Sequence, residues 1–355
     1  MKERLSGPDL VRSLAALFVV AVHFFYNCGY YNTPLNTSTM FGMTLARWLF
    51  LSCVPLYMML TGYFKCNKDI SKAHYMGLIP VFIAYIILSV IKTFVGNYNY
   101  GHLFGVKETF QTLGNYSMAW YVGFYFSLML IAPFLNRLWH ALKDNREKHI
   151  LLISLAVIST LYPLVTLPTV SDNVWIACLT SVLGFAAPYY WQMLYPILYY
   201  FLGCYFRENK PKVNKLILLV VIILMVLANT GITFYYANGG IFLWAIMGTV
   251  DCGYNCITVV LTSVSIFLMF YDIDIKNSII QKILQKISEV SLEIYLCSAI
   301  FDVIFFTYAK ARYTTMEDFA WLFFIMVPLN FVCSWICSMI YRAIYNTIKK
   351  LIVHS

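Results

Sequence analysis

Ten stretches of this chain stay apolar for about the 20 residues that a helix needs to cross a lipid bilayer. They fall near 10–28, 43–64, 76–95, 119–139, 150–167, 187–206, 214–236, 254–271, 291–309 and 320–342. Backbone in hydrocarbon must satisfy its own hydrogen bonds, so each stretch is expected to be helical. The predicted fold class is all-α: a polytopic membrane protein of about ten transmembrane helices. Hydrophobic residues make up 61% of the chain and charged ones 12%, against roughly a quarter charged in a soluble domain. The chain reads as a single integral membrane domain over residues 1–355, with no appended soluble domain. No cleavable signal peptide is expected either, because the stretch after the first apolar run is polar and Asn-rich, with no small-residue cleavage site.

The positions of the basic residues test this reading. With the N-terminus in the cytoplasm, the inner segments are the two tails and the loops around 65–75, 137–149, 207–215 and 272–290. They carry 19 of the 25 lysines and arginines. The outer loops and span edges carry five, namely Arg47, Lys92, Lys107, Lys310 and Arg312. That asymmetry follows the positive-inside rule and predicts ten spans with both termini cytoplasmic. It also removes nucleic acid from the expected partners, since the cations form short loops rather than a groove or stripe.

The first apolar run, DLVRSLAALFVVAVHFFY, holds both Arg12 and His23. Eleven steps of 100° bring the two to within about 20° of one helix face, roughly 16 Å apart along the axis. Arg12 at headgroup level is ordinary snorkelling, and Asp9 is placed to pair with it. His23 falls just past the midplane, where an imidazole needs a partner or a wet cavity. It is either a core histidine bonded to a neighbouring helix or a catalytic base. His74, His102, His140, His149 and His354 all fall in loops, at span edges or in the tail.

This arrangement, D-x-x-R introducing R-x10-H on the first span, resembles the acyltransferase-3 family of integral membrane acyltransferases, polysaccharide O-acetyltransferase type. Further matches follow in order. Thr61-Gly62-Tyr63-Phe64 resembles the end of the family's second span, and Trp120-Tyr121 with Pro133-Phe134-Leu135 its fourth. Phe201 to Phe206 resembles a Phe-x-Gly-Tyr/Cys-Tyr span end, and Ser291 to Leu296 the late Ser-x-x-Ile-Tyr-Leu motif. One departure stands out. Where family members often carry a histidine after Ile-Tyr-Leu, this chain has Cys297 and Ser298. His23 is then the sole histidine expected deep in the membrane.

The resemblance implies O-acyl transfer, usually of acetyl, from cytoplasmic acetyl-CoA to a hydroxyl of a cell-surface or lipid-linked glycan, in a bacterial plasma membrane. The residues agree with such chemistry. Acetyl-CoA is an anionic donor, and Arg12 with Lys65 and Lys72 would put cations near the inner mouth. Lys65 and Lys72 serve equally well as simple topology markers. A pantetheine arm is about as long as the gap from Arg12 to His23, so one extended donor could touch both. His23 would be the general base, oriented by Asp302 or by Glu293. Those two acids lie nine residues apart on the ninth run, on opposite helix faces, so at most one faces the site. Tyr63, Trp120, Ser291 and Tyr295 would bound the cavity or hydrogen-bond the oxyanion, or else pack the core. Arg47 would meet an anionic acceptor or anchor at the interface.

No metal is expected. Most of the ten cysteines lie within apolar runs as small buried side chains. Cys252 and Cys256 are four apart, but no second pair or histidine stands at ligand spacing beside them. The competing reading is a multi-span transporter or a flippase of a polysaccharide pathway. Transporters tend to show matched halves with broken helices, and no such repeat is visible here.

Overall fold

The computed structural model describes residues 6–99, 119–166, 189–244 and 253–354, with a few single positions between. Among these residues there is no strand. Thirteen helices follow in order: α1 Ser6–Asn27, α2 Ser38–Phe50, α3 Cys53–Lys65, α4 Lys72–Met76, α5 Ile79–Asn99, α6 Trp120–Ala141, α7 Asn145–Thr166, α8 Tyr195–Asn209, α9 Lys215–Ala237, α10 Ile257–Phe270, α11 Ser278–Glu289, α12 Ser291–Arg312 and α13 Met316–His354. The all-α class is as the apolar runs required.

Seven helical stretches are long and apolar enough to cross a membrane: Ser6–Asn32, Ser38–Lys65, Lys72–Tyr98, Trp120–Ala141, Lys215–Ala237, Ser291–Arg312 and Met316–Leu351. The other three apolar runs fall on α7, on α8 with the 3-10 turn Tyr189–Leu194, and on the shorter α10. Local sequence marks several boundaries. Thr37 caps α2 by accepting from the Met40 amide at 3.1 Å. Asn214 and Asn277 cap α9 and α11 in the same way. Asn238 closes α9 in the left-handed region at φ 45°, where asparagine is among the few side chains tolerated. Pro133, Pro163 and Pro328 lie inside helices, as membrane helices allow.

The described residues divide into two compact units. One draws on Met1–Tyr30, Tyr75–Phe126 and Asp274–Ser355. In it α1 packs on α11, α12 and α13, and α12 packs on α5 and α13. Its aromatic core gathers Phe24, Phe25, Phe306, Phe319 and Phe323 in edge, tilted and stacked contacts.

The other unit draws on Tyr31–His74 and Ser127–Ile273. Its tightest pairing is α3 against α8. There Gly62 and Gly203 let the two backbones touch. A Cβ on Gly62 would stand 1.9 Å from the Tyr200 carbonyl oxygen, and one on Gly203 would stand 2.0 Å from that of Met59. This is the small-residue packing on which membrane helices rely where hydrophobic driving force is absent. It gives a physical reason for the glycine in each of the two motifs, Thr61-Gly62-Tyr63-Phe64 and Phe201 to Phe206.

Candidate active site

The site grows from α1. Its eleven-residue spacing delivers Arg12 and His23 to one face, and α12 runs parallel beside it. The Arg12 Nη1 donates to Ser288 Oγ of α11 at 3.3 Å, just before α12 begins. Three turns further on, His23 Nδ1 stands 3.8 Å from Asp302 Oδ2. That is longer than a hydrogen bond, but catalytic contacts often tighten only when substrate is present. The His23 side chain keeps 23% of its surface open, whereas Asp302 keeps 5%. The imidazole is therefore neither packed away nor fully exposed.

A carboxylate so buried needs donors, and α13 supplies one. Asn330 Nδ2 donates to Asp302 Oδ1 at 2.8 Å and to the Ser298 carbonyl at 3.2 Å. Its own Oδ1 accepts from Ser334 Oγ at 2.8 Å. Oδ1 of Asp302 is thus held by the amide, and Oδ2 turns to the imidazole. Neither Asn330 nor Ser334 was among the residues expected from sequence. A signal existed, since Asn330, Ser334, Ser338 and Arg342 recur every fourth residue along the otherwise apolar middle of α13. That spacing puts all four on one face, and the face meets α12.

The two acidic residues of α12 part company, as their spacing required. Asp302 faces His23. Glu293, 4% exposed, is bound by Arg342 Nη2, which also donates to the Glu289 carbonyl at 3.1 Å. Tyr295 lies against the site, its ring centroid 5.7 Å from that of His23. Tyr121 meets Tyr295 edge-on at 6.3 Å, and Trp120 meets Tyr121 at 6.1 Å. Ser291 is buried at the first turn of α12, three turns before Asp302.

Four expected residues belong to the other compact unit. Arg47 is fully buried, its guanidinium carbon 4.1 Å from the Trp48 ring centroid and 4.7 Å from that of Phe242. Its Nε donates to Tyr31 Oη at 3.3 Å. It is enclosed by rings in a cation–π cage rather than laid at an open interface. Tyr63 is buried, with the Arg207 guanidinium carbon 5.0 Å over its ring. Lys65 ends α3, and its carbonyl accepts from Asn136 at 2.7 Å. Lys72 begins α4 and is exposed.

The peripheral histidines have structural partners: His74 the Met129 carbonyl, His140 the Cys66 carbonyl and His149 the Tyr205 hydroxyl. His102 and Cys252 lie outside the described residues, and Cys256 is a buried free thiol. Among the described residues no group of three or more His, Cys, Asp or Glu is placed to hold a metal.

Apolar helices long enough to cross a bilayer, with a histidine and a carboxylate facing one another inside them, define a multi-pass membrane protein. Which such protein follows from comparison with known families. The sequence profile of the acyltransferase-3 family, an acyltransferase domain, matches residues 5–339. The chain belongs to that family and is a membrane acyltransferase. Neither a characterised relative nor a solved structure matches it.

Proposed function

We propose that this protein is an O-acetyltransferase that moves an acetyl group from acetyl-CoA to a hydroxyl of a lipid-linked or cell-surface glycan. The observation that carries the reading is the partly open His23 imidazole, backed at 3.8 Å by the buried Asp302 carboxylate. With Nδ1 turned to Asp302, Nε2 is left to accept a proton. In the proposed reaction Nε2 takes the acceptor hydroxyl's proton as that oxygen attacks the thioester carbon. The tetrahedral adduct then collapses, the C–S bond breaks, and the thiolate of CoA recovers the proton from the imidazolium. Asp302 stabilises the imidazolium while it exists, and Asn330 fixes Asp302. Arg12, on the same face about 16 Å below, grips the donor's phosphates. Trp120 and Tyr295 border the acceptor. The membrane in question is the bacterial plasma membrane.

The test is direct. Purified protein in nanodiscs, given radiolabelled acetyl-CoA and a lipid-linked saccharide, is expected to yield labelled saccharide. Changing His23→Ala should reduce the rate at least about 100-fold, the usual worth of a positioned base, while the protein still elutes as a folded species. Full activity in that variant would refute the assignment of the base. Transfer from another acyl-CoA but none from acetyl-CoA would refute the donor.

A further inference from the structure

Helix α11, SIIQKILQKISE, is 12 residues long, or about 18 Å, which is too short to span a bilayer. It is also too apolar on one side to rest in water. At 100° per residue, taking Ile279 as zero, the side chains sort into three sectors. Ile279, Ile283, Ile287 and Ile280 cover about 0–100°; Ile279, Ile283 and Ile280 are 68%, 42% and 48% exposed, while Ile287, in the last turn, is buried. Leu284 and Ser288, at about 140–180°, face α1: the Leu284 carbonyl accepts from Ser13 Oγ at 3.5 Å, and Ser288 accepts from Arg12 at 3.3 Å. Gln285, Glu289, Lys282 and Lys286 fill about 240–340° and are exposed or half-buried.

The level of α11 is set by its neighbours. Only Val290 separates it from α12, a membrane-crossing helix. On its other side, the Ile275 amide donates to Ser6 Oγ at 2.9 Å. The bonds to Ser6, Arg12 and Ser13 all fall in the first two turns of α1, itself a membrane-crossing helix. Two spans therefore begin where α11 lies.

We infer that α11 is an interfacial helix lying in the surface of the bilayer. Ile279, Ile280 and Ile283 sit among acyl chains, and Lys282 and Lys286, at the border of that face, meet anionic lipid headgroups. The Leu284–Ser288 sector grips α1 at Arg12 and Ser13. Charge placement favours lipid over a second protein chain: the two lysines, at about 300° and 340°, line one edge of the apolar sector, where the cations of a surface-bound helix meet headgroups. This inference does not rest on the acyl-transfer reading.

The experiment uses full-length protein with a genetically encoded spin label at Ile283 or, separately, at Gln285. Each is reconstituted in nanodiscs of phosphatidylcholine and phosphatidylglycerol at three to one. Power saturation with oxygen and with a polar nickel chelate reads the surroundings of the label. The Ile283 label is expected to favour oxygen and exclude nickel, and the Gln285 label to do the reverse. Equal nickel access at both positions would overturn the inference, as would an Ile283 label shielded from both reagents, which would signal a protein partner or a second copy. A label at Ile280 serves if the Ile283 protein does not fold. With K282Q/K286Q, the Ile283 label should move toward the surface in the anionic discs but not in discs of phosphatidylcholine alone. No movement in either would refute the headgroup contact.

Discussion

Replacing Gly203 by alanine should weaken the protein sharply, and the size of the effect follows from the α3–α8 contact. The new Cβ would lie 2.0 Å from the Met59 carbonyl oxygen and 2.8 Å from both the Met59 carbonyl carbon and the Tyr63 nitrogen. Real Cβ atoms essentially never approach below 3.0 Å, so the helices must part by about 1 Å. All three obstacles are backbone, and no rotamer change relieves them. Overpacking of this kind costs about 1–3 kcal/mol, and a backbone clash belongs at the upper end, about 3 kcal/mol. For a chain of this size that lowers the melting temperature by roughly 4 °C. Gly231 in α9 is the control, since a Cβ there meets nothing within 4 Å. Alanine at that position removes the helix penalty of glycine, up to about 1 kcal/mol, and should leave stability unchanged or raise it. The assay is size-exclusion elution of detergent-solubilised protein after stepwise heating. G62A should resemble G203A, because its Cβ meets the Tyr200 carbonyl oxygen at 1.9 Å. The double variant should cost less than the sum, since one separation relieves both clashes. If G203A and G231A melt together, the backbone contact does not exist and the reasoning fails.

Two further predictions concern the site. Asn330→Leu removes the amide that holds Asp302 at 2.8 Å; a hydrogen bond to a charged group is worth about 1.5–3 kcal/mol. Steady-state assays should therefore show kcat down at least about tenfold with the KM for acetyl-CoA little changed, and an unchanged kcat would remove Asn330 from the proton-transfer machinery. Arg12→Lys keeps the charge but loses the guanidinium fork suited to phosphate, so the KM for acetyl-CoA should rise several-fold at constant kcat, and further in Arg12→Ala. If only the KM for the acceptor moves, Arg12 does not hold the donor.

The parts of this fold and site that could be read in sequence are those where a membrane makes sequence explicit. A polar side chain in a long apolar run needs a partner, because hydrocarbon supplies none. Arg12, His23, Glu293 and Asp302 therefore stood out against their surroundings, and helix geometry fixed their relative faces. The same geometry limited the site to one of the two acids of α12, and the structure sets Asp302 against His23 and Glu293 against Arg342. Partners were harder to read, because they depend on how apolar helices pack, and many packings suit one apolar surface. Asn330 lies 28 residues from Asp302, and no local pattern ties the two. Its polar stripe was visible as spacing but not as an address. Arg47 shows the opposite difficulty. Its place near the end of an apolar run suggests an open interface, yet the aromatic cage that buries it draws on Tyr31 and Phe242, the latter almost 200 residues away in sequence. The glycines were visible as motif letters, and the contact explains them: each is small because a carbonyl of the facing helix occupies the space its Cβ would need. The legible half of the site is thus what each helix must hide, and the illegible half is which neighbour hides it. That asymmetry makes Asn330 the sharper test of the proton-transfer proposal. His23 would be conspicuous in this helix whatever it did, whereas an amide that fixes one oxygen of a carboxylate facing an imidazole has a narrower range of reasons to be there.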